Sequence, residues 1–213
     1  MQSNKRGGQS NMAQLLYQGH GSFRITTNDG TVIYVDPYAG MGYDLPADLI
    51  LVTHDHYDHT DLAKAPKKPD VTIITHAEAL VDGEYRRFSC KGVAISAVPA
   101  YNQNHDRNAC VGYVLKLDGV KLYAAGDTSR TDAMGNQLSG MHLDYALLPI
   151  DGVYNMNARE ASLCAELIGA AHTIPIHVKP GALYDRDMAE AFQAQGRILL
   201  APGETLELVS AGR

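Results

Sequence analysis

Residues 53–60, with the sequence THDHYDHT, constrain the fold and chemistry of this chain more than any other segment. They follow the apolar run DLILV, which is typical of a buried strand. At a strand end, His54 and His56 project to the same side because side chains alternate with a period of two. Asp58 and His59 follow where the chain is predicted to turn toward a helix, so they can reach a second position nearby. Neutral imidazole is a good ligand for zinc, and a carboxylate oxygen makes one of two metal sites harder. The pattern H-x-H-x-D-H therefore predicts two adjacent metal ions.

The composition predicts a globular protein and argues against several classes of function. Of the 213 residues, 45% are hydrophobic and 20% are charged, so a disordered chain is not indicated. The formal net charge of -6 argues against a broad basic face, and we expect no nucleic-acid partner. No apolar run is long enough to cross a membrane. Three cysteines without CxxC spacing and an N-terminus without a signal peptide favour a reducing, cytoplasmic setting.

The segmentation of the chain predicts one domain. Residues 1–12 are polar, and we expect a flexible lead-in there, followed by a single domain over residues 13–213. Residues 28–30 (NDG) and 118–119 (DG) predict two hairpins, and Asn157 with Glu160 predicts the capped start of a helix. Neither the composition nor these patterns decide between a monomer and a homo-oligomer.

Five segments besides the histidine motif carry a resemblance to a known family. They are YQGHGSFRI, VIYVDPYAG, YAAGDTS, DYALLPIDGVYNMNAREA and IPIHVKPG. With THDHYDHT, their order resembles that of the metallo-β-lactamase-fold superfamily, in the subgroup of small metal-dependent hydrolases that includes the ascorbate-6-phosphate lactonase-like proteins. The likeness extends from about Leu15 to Glu207. It implies an α/β (α+β) fold, a four-layer αββα sandwich of two mixed β-sheets with helices on both outer faces and metals at one edge.

The resemblance also implies a set of metal ligands. Two divalent ions are expected, most simply Zn²⁺, with Mn²⁺ or iron as alternatives. For the third histidine of the first ion, His105 is favoured over His76, because His76 starts a predicted helix. The implied ligands are His54, His56 and His105 for the first ion, Asp58, His59 and His177 for the second, and Asp127 as the bridge.

Two adjacent ions predict hydrolytic chemistry. A hydroxide shared between two metals forms near neutral pH and can attack a carbonyl or phosphoryl centre. Asp58 and Asp127 are the catalytic candidates, because either carboxylate can hold the hydroxide and help move its proton to the leaving group. The sequence contains no G-x-S-x-G elbow and no Walker loop. We therefore expect a metal-dependent hydrolase whose substrate is a small ester, lactone or phosphoester.

Three other classes of protein are alternatives to a metal-dependent hydrolase. A nuclease or phosphodiesterase of the same fold shares the metal signature, but such nucleases add an RNA-binding arm that this compact acidic chain does not show. A di-iron redox protein of the superfamily relies on an appended flavin domain, which is also not visible here. A metal-stabilised binding protein without catalysis stays open, although a complete ligand set argues against it.

Several residues outside the ligand set are candidates for supporting roles. His20 in GHGSF has two equally weighted interpretations, a substrate contact and a structural hydrogen bond. Tyr154, with Asn155, is a candidate wall of the cleft, and Lys179 is a candidate contact for a substrate anion or a solvated loop lysine. Asp36 is a candidate for orienting a ligand imidazole, since ligating histidines usually donate their second N–H to such a group, or for capping a turn.

Overall fold

The computed structural model describes residues 12–212, so the predicted lead-in at residues 1–12 lies outside the described residues except for Met12. The chain forms two six-stranded mixed sheets and one two-stranded sheet. Inward-facing side chains of both large sheets share one apolar cluster, so the two sheets pack face to face. This architecture confirms the predicted sandwich of two mixed sheets.

The first large sheet comes mainly from the N-terminal part of the chain. Its strand order is β14-β1-β2-β3-β4-β5. Strands β1, β2 and β3 form an antiparallel meander that includes the hairpin predicted at residues 28–30, whereas β3, β4 and β5 run parallel. The strands are β1 (Gln14–Gly19), β2 (Ser22–Thr26), β3 (Val32–Val35), β4 (Ala47–Leu51), β5 (Lys67–Ile74) and β14 (Thr205–Glu207).

The second large sheet has the order β13-β12-β11-β10-β9-β8. Its last three strands, β11, β12 and β13, are parallel. Asp118 and Gly119 join β10 to β11 and both have positive φ, as a two-residue I′ hairpin turn requires. The strands are β8 (Arg87–Cys90), β9 (Val93–Pro99), β10 (Val111–Leu117), β11 (Val120–Ala124), β12 (Tyr145–Pro149) and β13 (His172–Ile176); β6 (Leu80–Val81) and β7 (Glu84–Tyr85) form the small sheet.

Helices cover the outer face of the second sheet. Helix α2 (Ala158–Ile168) and helix α3 (Arg186–Ala191) bury apolar side chains in one cluster with this face, together with a π-helical turn, Met134–Leu138. Asn157 caps α2 as predicted by accepting the backbone N–H of Glu160 at 2.9 Å. The Glu160 carboxylate does not complete the capping box, however, because it accepts the backbone N–H of Arg130 instead.

The outer face of the first sheet is covered differently from the prediction. The residues that pack on it come from the segments 37–46 and 60–66, which form bends and turns with no helix. Pro37 and Pro46 lie at the two ends of the first segment, and Pro66 ends the second. Proline lacks the N–H that a helix interior needs. The histidine motif therefore continues into turns, whereas the sequence had predicted a helix after it. Helix α1 (His76–Ala79) starts at His76 as predicted. Between residues 12 and 212, no helix is long and apolar enough to span a bilayer.

Two buried tyrosines on neighbouring strands provide a test of the contact between the sheets. The Tyr113 hydroxyl donates to the Val52 carbonyl at 3.0 Å, whereas the buried Tyr123 hydroxyl has no hydrogen-bond partner within the described part of the chain. We expect Tyr113→Phe to lower the free energy of unfolding by about 1 kcal/mol, because it leaves a buried carbonyl without its donor. Tyr123→Phe should leave that free energy unchanged or raise it. Urea unfolding of both variants measures the difference, and equal losses would contradict this account.

Candidate metal centre

The acidic and imidazole side chains meet at one edge of the sandwich. The carboxyl ends of parallel strands lie at the same edge of a sheet, and both large sheets contribute three such strands. Both halves of the chain therefore supply the site, as predicted for the fold. The contributing residues are Asp36 after β3, residues 53–59 after β4, Asp127 after β11, Asp151 after β12 and His177 after β13.

Asp127 lies at the centre of this group. Its buried carboxylate has Oδ1 at 3.4 Å from Nε2 of His59. Its Oδ2 is 3.2 Å from Nε2 of His105 and 3.4 Å from Nε2 of His177. One carboxylate thus faces imidazoles from both predicted ligand sets.

The donor atoms fall into two sets joined by a third. One donor atom each from His54, His56 and His105 lie within 4.8 Å of one another. The same holds for Asp58, His59, His177 and His20, and for the linking set of His54, His59 and Asp127. The structure therefore brings together all seven predicted ligands and adds His20 to the second set.

Asp36 contacts the histidine motif through both oxygens of its carboxylate. Its Oδ2 lies 2.9 Å from Nδ1 of His59 and accepts the Thr53 hydroxyl at 2.7 Å, while its Oδ1 accepts the Thr53 backbone N–H at 2.8 Å. The Thr53 hydroxyl is also 3.0 Å from Nδ1 of His54. The Nε2 atoms of His54 and His59 are buried and have no hydrogen-bond partner among residues 12–212. Of the two roles considered for Asp36, the structure shows the contact that orients an imidazole.

Two further buried imidazoles, those of His105 and His177, also have a polar neighbour at Nδ1. Nδ1 of His105 lies 2.9 Å from Oδ1 of Asn102, and Nδ1 of His177 lies 3.1 Å from Oδ2 of Asp151. Asn155 joins the two buried carboxylates, because its Nδ2 donates to Asp127 at 3.0 Å and to Asp151 at 2.7 Å. The sequence analysis missed Asp151 and Asn102. The available signal for Asp151 was an acidic residue directly after a buried strand, the same signal that pointed to Asp36.

The orientation of these side chains suits divalent cations. Metal-ligating histidines typically bind through one ring nitrogen while the other is held by a carboxylate, a carbonyl or water. Here Nδ1 of His54, His59, His105 and His177 has a protein neighbour, which leaves Nε2 as the inward atom. A mixed nitrogen and carboxylate donor set matches zinc and its first-row neighbours. The residues present therefore fit the metal that the sequence predicted.

The remaining predicted residues occupy different places. Nε2 of His20 is 3.1 Å from Oδ2 of Asp58, and its ring centroid is 3.7 Å from that of His177. Lys179 pairs with Asp185 at 2.7 Å and does not line the cavity at the metal centre, so the structure gives no support to its predicted contact with substrate.

His76 and Tyr154 complete the set of predicted positions. His76 starts α1, where its Nδ1 lies 3.4 Å from Asp55, and it belongs to none of the candidate metal-binding groups found among residues 12–212. His105, by contrast, lies in one group with His54 and His56. Tyr154 lines the cavity and is half exposed.

A cavity of about 690 Å³ opens above the cluster. This volume lies in the range of small-molecule sites in proteins. Its wall combines charged groups with two exposed tyrosines. The lining residues are His20, Asp55, His56, Tyr57, Asp58, Asn104, His105, Asp127, Tyr154, His177, Pro180 and Gly181.

Burial and neighbouring charges shift the pKa values of the side chains in the cluster in different directions. Burial lowers the pKa of His54 to about 2, so this imidazole is neutral. Burial also opposes protonation of His59, but the carboxylates of Asp127 and Asp36 outweigh it and raise its pKa to about 9. Burial favours the neutral form of Asp127, yet the imidazoles of His59 and His177 hold its pKa well below the usual range. In the metal-free protein, His59 is therefore a buried cation paired with two carboxylates.

Gly126, directly before Asp127, provides a test of how tightly the site is built. Its φ is +62°, and a Cβ there would lie 2.8 Å from Cβ of Thr53. Gly119 also has positive φ, but a Cβ there would meet no atom within 4 Å. Both Gly→Ala variants should lose roughly 1 kcal/mol of unfolding free energy from the backbone conformation. Gly126→Ala should lose about 1–3 kcal/mol more from overpacking. Thermal or urea unfolding measures the loss of unfolding free energy in each variant. Equal losses would show that the contact between the new Cβ at position 126 and Thr53 is relieved without a cost in stability.

Comparison with known proteins places the chain in a family. Residues 14–177 match the β-lactamase superfamily domain. A UPF0173 metal-dependent hydrolase from Thermococcus onnurineus (strain NA1) is 35% identical over 92% of this chain and 100% of its own length.

Solved structures agree with this assignment at the level of the fold. Igni18, a metallo hydrolase from Ignicoccus hospitalis, is 24% identical with a TM-score of 0.71, covering 93% of this chain and 99% of its own. CmlA, a diiron β-hydroxylase from Streptomyces venezuelae, is 15% identical with a TM-score of 0.67, covering 92% of this chain and 54% of its own. The chain thus has the metallo-β-lactamase fold and belongs, within the β-lactamase superfamily, to the UPF0173 family of metal-dependent hydrolases.

Proposed function

We propose that the cluster around Asp127 holds two divalent cations, most simply Zn²⁺, and that the protein hydrolyses a small ester, lactone or phosphoester. The observation that carries this proposal is the shared orientation of four imidazoles. Each has Nδ1 beside a polar group of the protein, and three of the Nε2 atoms lie within 3.4 Å of the Asp127 carboxylate. The proposed ligands are His54, His56 and His105 for one cation, Asp58, His59 and His177 for the other, and Asp127 between them.

The chain's own residues divide the chemical work. When bound, two cations supply Lewis-acid activation of the substrate oxygen and a water whose pKa is lowered to near neutrality. Asp58 reaches the cavity with 22% of its side chain exposed, so its Oδ2 can receive the proton of that water. Burial raises the pKa of Asp58, but the hydrogen bond from His20, the charge of His59 and a backbone hydrogen bond together outweigh burial and bring the pKa to about 2. Asp58 is therefore an ionised acceptor at neutral pH.

The shape of the cavity favours a small substrate. Its volume of about 690 Å³ accommodates a compact molecule, and the rings of Tyr57 and Tyr154 offer apolar contact beside the polar centre. The acidic balance of the chain, with a net charge of -6, adds no attraction for a polyanion. We therefore propose a small molecule as substrate, with no nucleic-acid partner.

Metal content and turnover together test the proposal. Protein purified with each candidate metal should bind two cations per chain and hydrolyse at least one class in a panel of carboxylic esters, lactones, phosphomonoesters and phosphodiesters. Two bound cations without turnover on any class would favour a metal-stabilised binding protein. Cleavage of phosphodiesters alone would favour the nuclease or phosphodiesterase alternative.

Substitution of Asp58 tests its role as proton carrier. Asp58→Asn should lower kcat by at least about a hundredfold at matched metal occupancy, because the amide cannot accept the proton of the attacking water. Asp61→Asn, at an exposed position three residues later that lines no part of the cavity, should leave kcat unchanged. Full turnover by Asp58→Asn with the second cation absent would contradict the two-cation mechanism.

The pKa of His59 predicts proton release on metal binding. With its pKa raised to about 9, His59 is protonated at neutral pH in the metal-free protein. A protonated imidazole carries a proton on each ring nitrogen. A cation can bind Nε2 of His59 only after the Nε2 proton leaves, whereas the Nδ1 proton stays in the contact with Asp36. Calorimetric titration at about pH 7.5 in two buffers of different ionisation enthalpy should thus give different heats, and the difference should shrink as the pH approaches 10. Identical heats at neutral pH would show that His59 is already neutral or does not bind the cation.

A further inference from the structure

A second pocket, with a volume of about 270 Å³, adjoins the cavity at the metal centre. The two spaces share Asn104 and Tyr154 in their walls. The further lining residues of the second pocket are Tyr101, Asn102, Gln103, Ser129, Arg130, Val153 and Asn155. The two spaces are therefore neighbours on either side of Asn104 and Tyr154, and one molecule that reaches past these residues contacts both.

The two spaces differ in charge. The lining of the second pocket contains one charged side chain, the guanidinium of Arg130, and no acidic residue. The larger cavity is lined by Asp55, Asp58 and Asp127. In a chain with a net charge of -6, a cation in a concave site whose lining contains no acidic residue favours an anionic ligand.

The Arg130 guanidinium is available for a ligand. No carboxylate of residues 12–212 lies within 4.0 Å of it, whereas Arg24, Arg86 and Arg186 each pair with an acid. Its backbone is nevertheless held in place, since the Arg130 N–H donates to Glu160 at 3.1 Å. This is the contact that diverts Glu160 from completing the capping box of α2.

The wall between the two spaces is fixed relative to the metal centre. Nδ2 of Asn102 and of Asn104 both donate to the Tyr154 carbonyl, at 2.9 and 3.1 Å. Asn155, which lines the pocket, donates to Asp127 at 3.0 Å. A group bound at Arg130 is thus held in a defined relation to the reacting centre, as productive positioning requires.

We propose that this pocket is a subsite for an anionic oxygen group, a carboxylate or a phosphate, on the molecule that is hydrolysed in the adjoining cavity. The inference rests on the proposed function. A guanidinium presents paired N–H donors that match two oxygens of either group, and such charge-assisted bonds are stronger than neutral ones. The subsite binds the group without reacting with it, so it contributes mainly to KM.

Matched substrates test the subsite through turnover. Three versions of one substrate found in the panel are compared, carrying a carboxylate, a phosphate or a neutral carboxamide away from the reacting bond. Wild-type protein should prefer the anionic versions by roughly tenfold in kcat/KM. Arg130→Gln should abolish the preference by raising KM for the anionic versions, with kcat and turnover of the carboxamide unchanged. Arg130→Lys should keep part of it, because the charge remains but the paired donors are lost. The ratio of carboxylate to phosphate turnover identifies which anion is bound.

Arg87→Gln is the matched control, because it removes the same charge from an exposed position that lines neither space. It should leave the preference intact. An equal loss in Arg87→Gln and Arg130→Gln would assign the preference to net charge and overturn the subsite, as would an Arg130→Gln variant that retains the full preference.

A binding measurement separates failure of the subsite from failure of the proposed function. In metal-loaded protein with ¹⁵N-labelled arginine, inorganic phosphate should shift the Nε–H resonance that Arg130→Gln removes and leave that of Arg87 in place. The shift without any turnover on the panel would reject the hydrolysis and keep an anion site. Turnover without the shift and without a preference for anionic substrates would keep the hydrolase and reject the subsite.

Discussion

The buried carboxylate of Asp127 among three imidazole nitrogens is the interaction on which the rest of the site depends. A buried ionised carboxylate is costly unless charges and hydrogen bonds compensate it. His59, His105 and His177 approach it from separate elements, and Asn155 donates to it as well. The fold must therefore deliver four elements to one point. His59, His177 and Asn155 follow parallel strands, whose carboxyl ends share an edge, whereas His105 comes from the loop between the antiparallel strands β9 and β10.

The second layer of contacts makes the site rigid. Asp36 and Asp151 follow buried strands of different sheets, β3 and β12, and each lies beside one ring nitrogen of a histidine. Asp151 also accepts three successive backbone N–H groups of residues 153–155, which shapes the loop that walls the cavity. The orientation of His177 and the shape of this wall of the cavity are consequently set by the same carboxylate.

Backbone strain occurs at this edge as well as in turns elsewhere in the described part of the chain. His20, Asp36 and His177 all have positive φ, a conformation that is unfavourable for residues other than glycine. Hydrogen bonds hold it in place, since the His177 N–H donates to the His20 carbonyl at 2.8 Å and the Tyr17 hydroxyl donates to the same carbonyl at 2.9 Å. The core that buries Tyr17 therefore stabilises a strained turn that presents His20 to Asp58.

The sequence by itself determined the residue types of the centre, the family resemblance and the two mixed sheets, because strand patterns, hairpin signals and the spacing of H-x-H-x-D-H are local properties. It did not reveal β8, whose residues alternate between exposed and half-buried at a sheet edge and carry little hydrophobic signal. It also predicted helices over both sheets, where prolines leave turns on one. Only the tertiary structure decided that Asp151 holds His177, that Lys179 turns to Asp185, and that Arg130 faces a pocket without an acidic partner. These contacts join residues brought together by loops, and the direction of a loop side chain depends on packing that no local pattern encodes.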